Sequence, residues 1–246
     1  MLYKTLIVGN GNIGSALKKV LDKRGGENRK SGMIDILDNN YQEKVRDTKC
    51  KNLHICIPYS KGFIKNCLRY IEYFTPNLCV IHSSVPVGTT EKINNMSPNN
   101  TYIVHSPVRG QHPKLVESLK LFIKYVGTDD IGAYFATKRE MSNIKTEWIK
   151  SSKTTELGKL LSTSYYGICI SWHREMERFC KHFGVDFEDT VSNFNKSYNA
   201  GYKKLRPNVV RPVLTPPKGM IGGHCVVQNA KLLSKQLKSK FLKLIE

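Results

Sequence analysis

Six residues near the start of the chain, Gly9-Asn10-Gly11-Asn12-Ile13-Gly14, constrain its fold more than any other stretch. They follow a short apolar run at residues 4–9. They open a segment, residues 13–24, in which Ile13, Ala16, Leu17, Val20 and Leu21 recur at helical spacing. A strand that turns through glycines directly into a helix is the first half of a βαβ unit. The first glycine permits the tight turn, the second lets a diphosphate approach the backbone, and the third lets the helix pack closely on the strand. The helix N-terminus adds free amides and the positive end of a dipole. In this setting the GxGxxG spacing predicts a dinucleotide-binding turn. An acidic residue closing the second strand would hold the ribose hydroxyls. Asp38 fits, with Asp35 as the alternative, and a carboxylate there repels a 2′-phosphate, so NAD is favoured over NADP. The expected cofactor-binding set is Gly9, Gly11, Asn12, Ile13, Gly14 and Asp38, joined by Pro58 and Ser84 after later strands.

The remainder of the first half continues the same alternation. Strand-like runs at residues 33–38, 53–58, 78–82 and 102–105 are separated by helix-like stretches at 62–74 and 90–96, and residues 122–126 and 147–149 extend the sheet. The fold class expected is α/β: a Rossmann-type, doubly wound, mostly parallel sheet followed by a smaller all-helical domain built on one long helix. That helix spans residues 154–183 and stops at Gly184. A further helix starts at 187–194, residues 206–217 form a Pro-rich extended loop, and 226–245 read as a lysine-rich amphipathic helix. The domain boundary is expected near residue 150, giving 1–150 for cofactor binding and 151–246 for dimerisation and substrate.

Composition excludes several classes. The formal net charge is +19, but Lys and Arg are scattered over the 246 residues rather than gathered in a stripe, and no nucleic-acid module is visible, so nucleic acid is not the expected partner. The seven cysteines form no CxxC pair and no Cys/His run with zinc-ligand spacing, so a reduced chain without a metal is expected. No leader precedes the first strand, and no apolar run nears the roughly 20 residues of a membrane span. A cytoplasmic protein with no membrane contact is the expectation.

Three further stretches carry a resemblance. Residues 82–90, His-Ser-Ser-Val-Pro-Val-Gly-Thr-Thr, are similar to an STVPxGTT loop. Glu156-Leu157-Gly158-Lys159-Leu160, with Glu175-Met176-Glu177 beyond, is similar to an AELxKL…NE helix. Gly222-Gly223-His224-Cys225 matches a GGxC loop. Taken in order with the glycine turn, these resemble the UDP-glucose/GDP-mannose dehydrogenase superfamily over most of the chain. The resemblance implies an NAD-dependent oxidation of a hydroxyl, with Lys159 stabilising the oxyanion. It implies Cys225 as the nucleophile that captures an aldehyde as a thiohemiacetal, assisted by Lys159 and His224. Ser84, where the family has threonine, completes the expected catalytic set.

The departures are informative. Val108, in Ser106-Pro107-Val108-Arg109-Gly110, replaces a family glutamate; Thr163 replaces an asparagine one turn after the lysine; Asn229 replaces an aspartate four residues after the cysteine. Neither Val108 nor Asn229 can take a proton as a carboxylate does. His105 and His112 flank the altered loop as alternative bases, and Arg109 is a candidate clamp for an anionic substrate. Arg206, Arg211 and Lys218 are further candidates on the loop before Cys225. The substrate-binding set is Arg109, His105, His112, Thr163, Gly222, Gly223 and Asn229. The substrate expected is small and anionic or sugar-like, and the family's second nucleotide-gripping domain is not expected in this chain. Leu157, Leu160, Leu161, Ile168, Trp172 and Met176 on the long helix predict a homodimer. The alternative function is an NAD-binding sensor or interaction protein without turnover.

Overall fold

The structure is a computed structural model that describes residues 2–22, 32–34, 48–97, 100–110, 113–219, 221 and 224–245. The chain divides into two compact units, Met1–Lys159 and Leu160–Glu246.

Among the described residues, the first unit holds a seven-stranded sheet: β1 (Leu2–Val8), β2 (Gly32–Ile34), β3 (Lys49–Ile55), β4 (Leu78–Ile81), β5 (Tyr102–His105), β6 (Lys124–Gly127) and β7 (Thr146–Ile149). The order is β2-β1-β3-β4-β5-β6-β7, parallel throughout except where β6 meets β5 antiparallel at His105 and Gly127. The helices are α1 (Asn12–Asp22), α2 (Phe63–Phe74), α3 (Thr89–Met96), α4 (Leu115–Leu121) and α5 (Ile131–Glu140), and then α6 (Ser152–Phe183) begins. Strand residues alternate between two cores, as the two-residue repeat of a pleated strand requires. Leu6, Val8, Cys79 and Ile81 pack with Phe63, Ile71 and Phe74 of α2 and Ile93 of α3. Ile7, Leu78 and Val80 pack with Leu17 and Val20 of α1, Leu119 of α4 and Tyr134 of α5. Both faces of the sheet are therefore covered by helices.

The chain leaves β1 for β2 on one side and returns to β3 on the other, so strand order reverses at β1. In open α/β sheets, ligands bind in the crevice at such a reversal, beyond the carboxyl ends of the strands. The glycine turn stands there.

Helices α4 and α5 go beyond the sequence expectation. Asp130 caps α5, its side chain accepting from the Gly132 and Ala133 amides at 2.7 and 3.2 Å. The described part of the second strand ends at Ile34, so Asp35 and Asp38 lie outside the described residues.

In the second unit, α6 continues to Phe183 and ends at Gly184, whose φ of 68° is the left-handed conformation glycine adopts without penalty. A π-helical segment (Glu188–Asn193) runs into α7 (Phe194–Leu205), and α8 (His224–Ser234) follows the extended loop. The expected helix over 226–245 is shorter: α8 ends at Ser234, and a 3-10 turn (Leu242–Leu244) follows. The reason is packing on Gly167. A Cβ there would lie 2.7 Å from Val226 Cγ1 and 3.0 Å from Ile245 Cδ1. An unbroken helix would separate those two residues by about 28 Å, so the chain must fold back to bury both on α6.

Candidate active site

At the glycine turn, each glycine has a distinct reason to lack a side chain. Gly9 has φ 107°, and a Cβ on it would lie 2.7 Å from the Cys56 carbonyl oxygen beyond β3. At Gly14 a Cβ would lie 1.9 Å from the Gly9 carbonyl oxygen, so helix and turn touch only because it is glycine. Around Gly11 none of the described residues lies within 4 Å of that position, which leaves the backbone open to an approaching group. Asn12 is exposed, Ile13 packs its side chain on the core, and no acidic residue sits in the first turn of α1. An open backbone at the N-terminus of a helix whose first turn carries no carboxylate fits a diphosphate. Pro58 is exposed just beyond β3.

The loop after β4 carries Ser84, which is half-buried. Its neighbour Ser83 donates to the Ile57 carbonyl at 2.6 Å. The far end of the loop meets the first turns of α6. Glu156 is fully buried and accepts from the Gly88 amide at 2.6 Å, the Thr90 amide at 2.8 Å and the Thr90 hydroxyl at 2.7 Å. Burial nevertheless pushes its carboxyl above the ordinary value. Lys159, one turn further along α6, is half-buried.

Under the loop at residues 106–110 runs a row of buried polar groups. His82 Nδ1 lies 2.8 Å from the Ser106 carbonyl oxygen, and Lys124 Nζ donates to the same oxygen at 2.6 Å and to Pro107 O at 3.1 Å. A carbonyl only accepts, so His82 carries its proton on Nδ1. Its Nε2 then accepts from Nδ1–H of His54 at 2.8 Å. The other nitrogen of His54 faces Glu140 Oε1 at 3.5 Å, and that carboxylate also accepts from Thr5 Oγ1 and Asn52 Nδ2 at 2.5 and 2.6 Å. Burial drives His82 well below the ordinary histidine value and brings Lys124 down to about 7, with the charge of Lys159 adding to the latter.

His105 is fully buried. Its Nδ1 meets the Thr155 hydroxyl at 2.8 Å and its Nε2 the Ser83 carbonyl at 3.2 Å, and burial pushes it down to about 3. It is neutral near pH 7, with both nitrogens engaged by protein. Val108 packs in the sheet core. Arg109 is exposed, and its guanidinium stands over the Phe122 and Tyr125 rings at 5.3 and 5.5 Å. Stacked there, it presents a preformed fork of donors.

In the second unit, Cys225 is exposed in the first turn of α8. Thr163 and Asn229, two of the altered positions, meet each other: Asn229 Nδ2 donates to Thr163 Oγ1 at 3.0 Å, and that hydroxyl donates on to Leu160 O at 3.0 Å. Arg211 stacks over Tyr198 at 3.4 Å and Arg206 over Tyr202 at 5.7 Å, while Lys218 is exposed. His112, Gly222 and Gly223 lie outside the described residues. Sequence reasoning gave no role to Lys124, Thr155, Glu156, His54 or Glu140. Only Glu156 stood within a motif that could have drawn attention to it.

No family model matches the chain. It is 25% identical over 252 residues to the UDP-N-acetyl-D-mannosamine dehydrogenase of Methanococcus vannielii, an alignment covering 92% of this chain and 56% of that protein. The solved UDP-D-ManNAc dehydrogenase of Pyrococcus horikoshii superposes with a TM-score of 0.78 at 17% identity, over 100% of this chain and 66% of that one. A UDP-glucose dehydrogenase from Pyrobaculum islandicum superposes with a TM-score of 0.74 at 14% identity, over 100% and 67%. The chain spans about half the length of the curated relatives it matches. Fold and glycine turn define a Rossmann-type α/β protein. Within that class, the chain is similar in sequence to UDP-N-acetyl-D-mannosamine dehydrogenases and in fold to solved UDP-glucose and GDP-mannose dehydrogenases. Among the described residues, no helix is long and apolar enough to cross a membrane.

Proposed function

We propose that the chain is an NAD-dependent oxidoreductase of the nucleotide-sugar dehydrogenase type, oxidising a hydroxyl of a small anionic or sugar-like substrate. The observation that carries this reading is a joint survival on a matching fold. The glycine turn is open over Gly11, and the Ser84 loop is bonded to the α6 turn that leads to Lys159. Gly9, Gly11, Gly14 and the amides opening α1 would hold the dinucleotide, with Asp38 at its ribose and Pro58 and Ser84 beside it. NAD, when bound, supplies the hydride acceptor. The substrate hydroxyl gives its proton to solvent and its hydride to the acceptor, and Lys159 stabilises the alkoxide on the way, since a fixed cation has most effect at such a developing charge. Arg109 holds a substrate anion. Cys225 is the nucleophile for an aldehyde product. The relatives' names point to a nucleotide sugar.

The purified chain, given NAD and a panel of sugars, nucleotide sugars and hydroxy acids, is expected to form NADH. No NADH with any member would count against the reading. Cys225→Ser is expected to abolish acid formation while sparing aldehyde formation; unchanged acid yield would remove the cysteine from the mechanism. The apolar residues of α6 support a homodimer, and sedimentation at micromolar concentration tests it. A monomer there would exclude it.

A second reading is a dinucleotide-binding protein without turnover. It is favoured by Val108 in the core and by Asn229, whose amide is committed to Thr163. Tight NAD binding with no hydride transfer would select it.

A further inference from the structure

Lys159 and Ser84 stand on different elements, and useful chemistry needs them held at a fixed separation. The buried Glu156 carboxylate lies between those elements. Its three donors, the Gly88 amide and the amide and hydroxyl of Thr90, all belong to the segment that follows Ser84. The acceptor belongs to the α6 turn before Lys159, about 4.5 Å back along the helix axis. Lys153, three residues before Glu156 on α6, is paired with Glu91 at 2.8 Å. The bonds to Glu156 come instead from the N-terminal amides of α3, the end of a helix that favours a carboxylate.

The preceding residue ties the other end of the same segment. Thr155 meets His105, and His105 meets the Ser83 carbonyl, at 2.8 and 3.2 Å. Residues 83–90 are thus fastened at both ends to two consecutive residues of α6. Gly127 makes room for this docking, since a Cβ there would lie 2.2 Å from Thr155 Oγ1.

We infer that Glu156 is a positioning residue, whose carboxylate fixes the Ser84 segment against the helical turn that carries Lys159 so that both meet a substrate as one rigid unit. This rests on the proposed catalytic roles of Lys159 and Ser84. A carboxylate accepts at both oxygens, whereas a carboxamide of the same shape sets an N–H against one of the N–H donors. Glu156→Gln therefore keeps the volume and breaks the clamp on one side.

The experiment compares wild type, Glu156→Gln and the milder Thr90→Val, which removes only the hydroxyl donor. It measures NADH formation, thermal midpoint and amide exchange at residues 87–91. In a Glu156→Gln protein that melts within a few degrees of wild type, exchange at residues 87–91 is expected to quicken at least tenfold. The value of kcat is expected to fall by about thirtyfold to a hundredfold, with KM for NAD changed less than threefold. Should the Gln variant not fold, a kcat loss of about threefold to tenfold in Thr90→Val at unchanged thermal midpoint carries the same conclusion. Faster exchange with unchanged kcat overturns positioning, and unchanged exchange overturns the clamp itself. Wild type that forms no NADH from any substrate overturns the functional reading and this inference with it, an outcome seen before any variant is made.

Discussion

Two helices of twelve residues each, α2 in the first unit and α7 in the second, differ in what they bury. Helix α2 buries Phe63, Cys67, Tyr70, Ile71 and Phe74, whereas α7 buries none of its residues. The contrast extends to the units around them. In the first, even the charged and titratable groups His54, His82, His105, Lys124, Glu140 and Glu156 are buried. In the second, large aromatic groups face outward: Tyr165 is 62% exposed, Trp172 55% and Phe183 71%. Helix formation does not itself dictate burial. Among the described residues, the sheet unit packs a core on both faces of its sheet, while the helical unit leaves more large apolar groups exposed, and such area marks an interface more often than an accident.

The sharpest way to break this comparison is by thiol chemistry. All four cysteines of the first unit are buried, and burial pushes Cys50, Cys56 and Cys67 up to about 12. At pH 8 such groups hold about one ten-thousandth of their population as thiolate. Iodoacetamide is expected to label exposed Cys225 more than a thousandfold faster than any of the four in native protein, read by mass spectrometry of the peptides. Comparable rates would mean that the sheet unit opens freely.

Core truncation comes next in size. Phe74→Ala should cost about 3–5 kcal/mol, and Phe194→Ala, at an exposed position on α7, about 0.5 kcal/mol or less. Urea denaturation of both variants measures the difference. Equal losses would show that α7 is buried in solution.

A third contrast concerns pH. Lys124 has its folded value lowered to about 7 from 10.5, so from pH 7 to 10.5 the unfolded chain binds more protons and stability rises with pH. This contribution is complete above the unfolded value and is lost as pH falls toward 7. Buried His82 and His105, both lowered from 6.5, extend the loss at lower pH. The buried thiols, raised from 9.0 to about 12, reverse the trend above pH 9. Stability should increase by about 2–3 kcal/mol between pH 7 and 9, and Lys124→Met should flatten that slope. A wild-type slope of zero by denaturant titration would refute the buried ammonium. Smallest is Thr163→Val in the helical unit, with an expected loss of about 1–2 kcal/mol as the Asn229 amide loses its partner; no loss would mean that water replaces the hydroxyl.

The strand and helix order around the glycine turn was readable because each element there carries its own signal: apolar alternation, helical spacing and glycines at fixed offsets. Helix α5 was missed because its residues show almost no amphipathic face, although Asp130 with small residues after it is a cap signature. Lys124 was unreadable for another reason. It is one basic residue among 39, and what singles it out is the pair of carbonyls at Ser106 and Pro107, donated by a different strand end. Glu156 was visible within a motif, but two of its three donors are backbone amides far off in sequence, which no side-chain pattern announces. The altered loop at Val108 was legible as a departure, while its burial required the fold.

The Thr163–Asn229 hydrogen bond couples what substitution at either position would do. A buried amide that donates to a hydroxyl makes the two positions a single mutational unit, so the order of replacement matters. Asn229→Asp taken first would bury a carboxylate with one hydroxyl to serve it, which is unfavourable. Thr163→Asn taken first puts an amide opposite an amide, a pair that can still bond. An exchange in either direction between this Thr–Asn pair and an Asn–Asp pair at the same positions passes most easily through that second intermediate. Paired changes at residues 163 and 229 are therefore expected to cost less than the sum of the single ones.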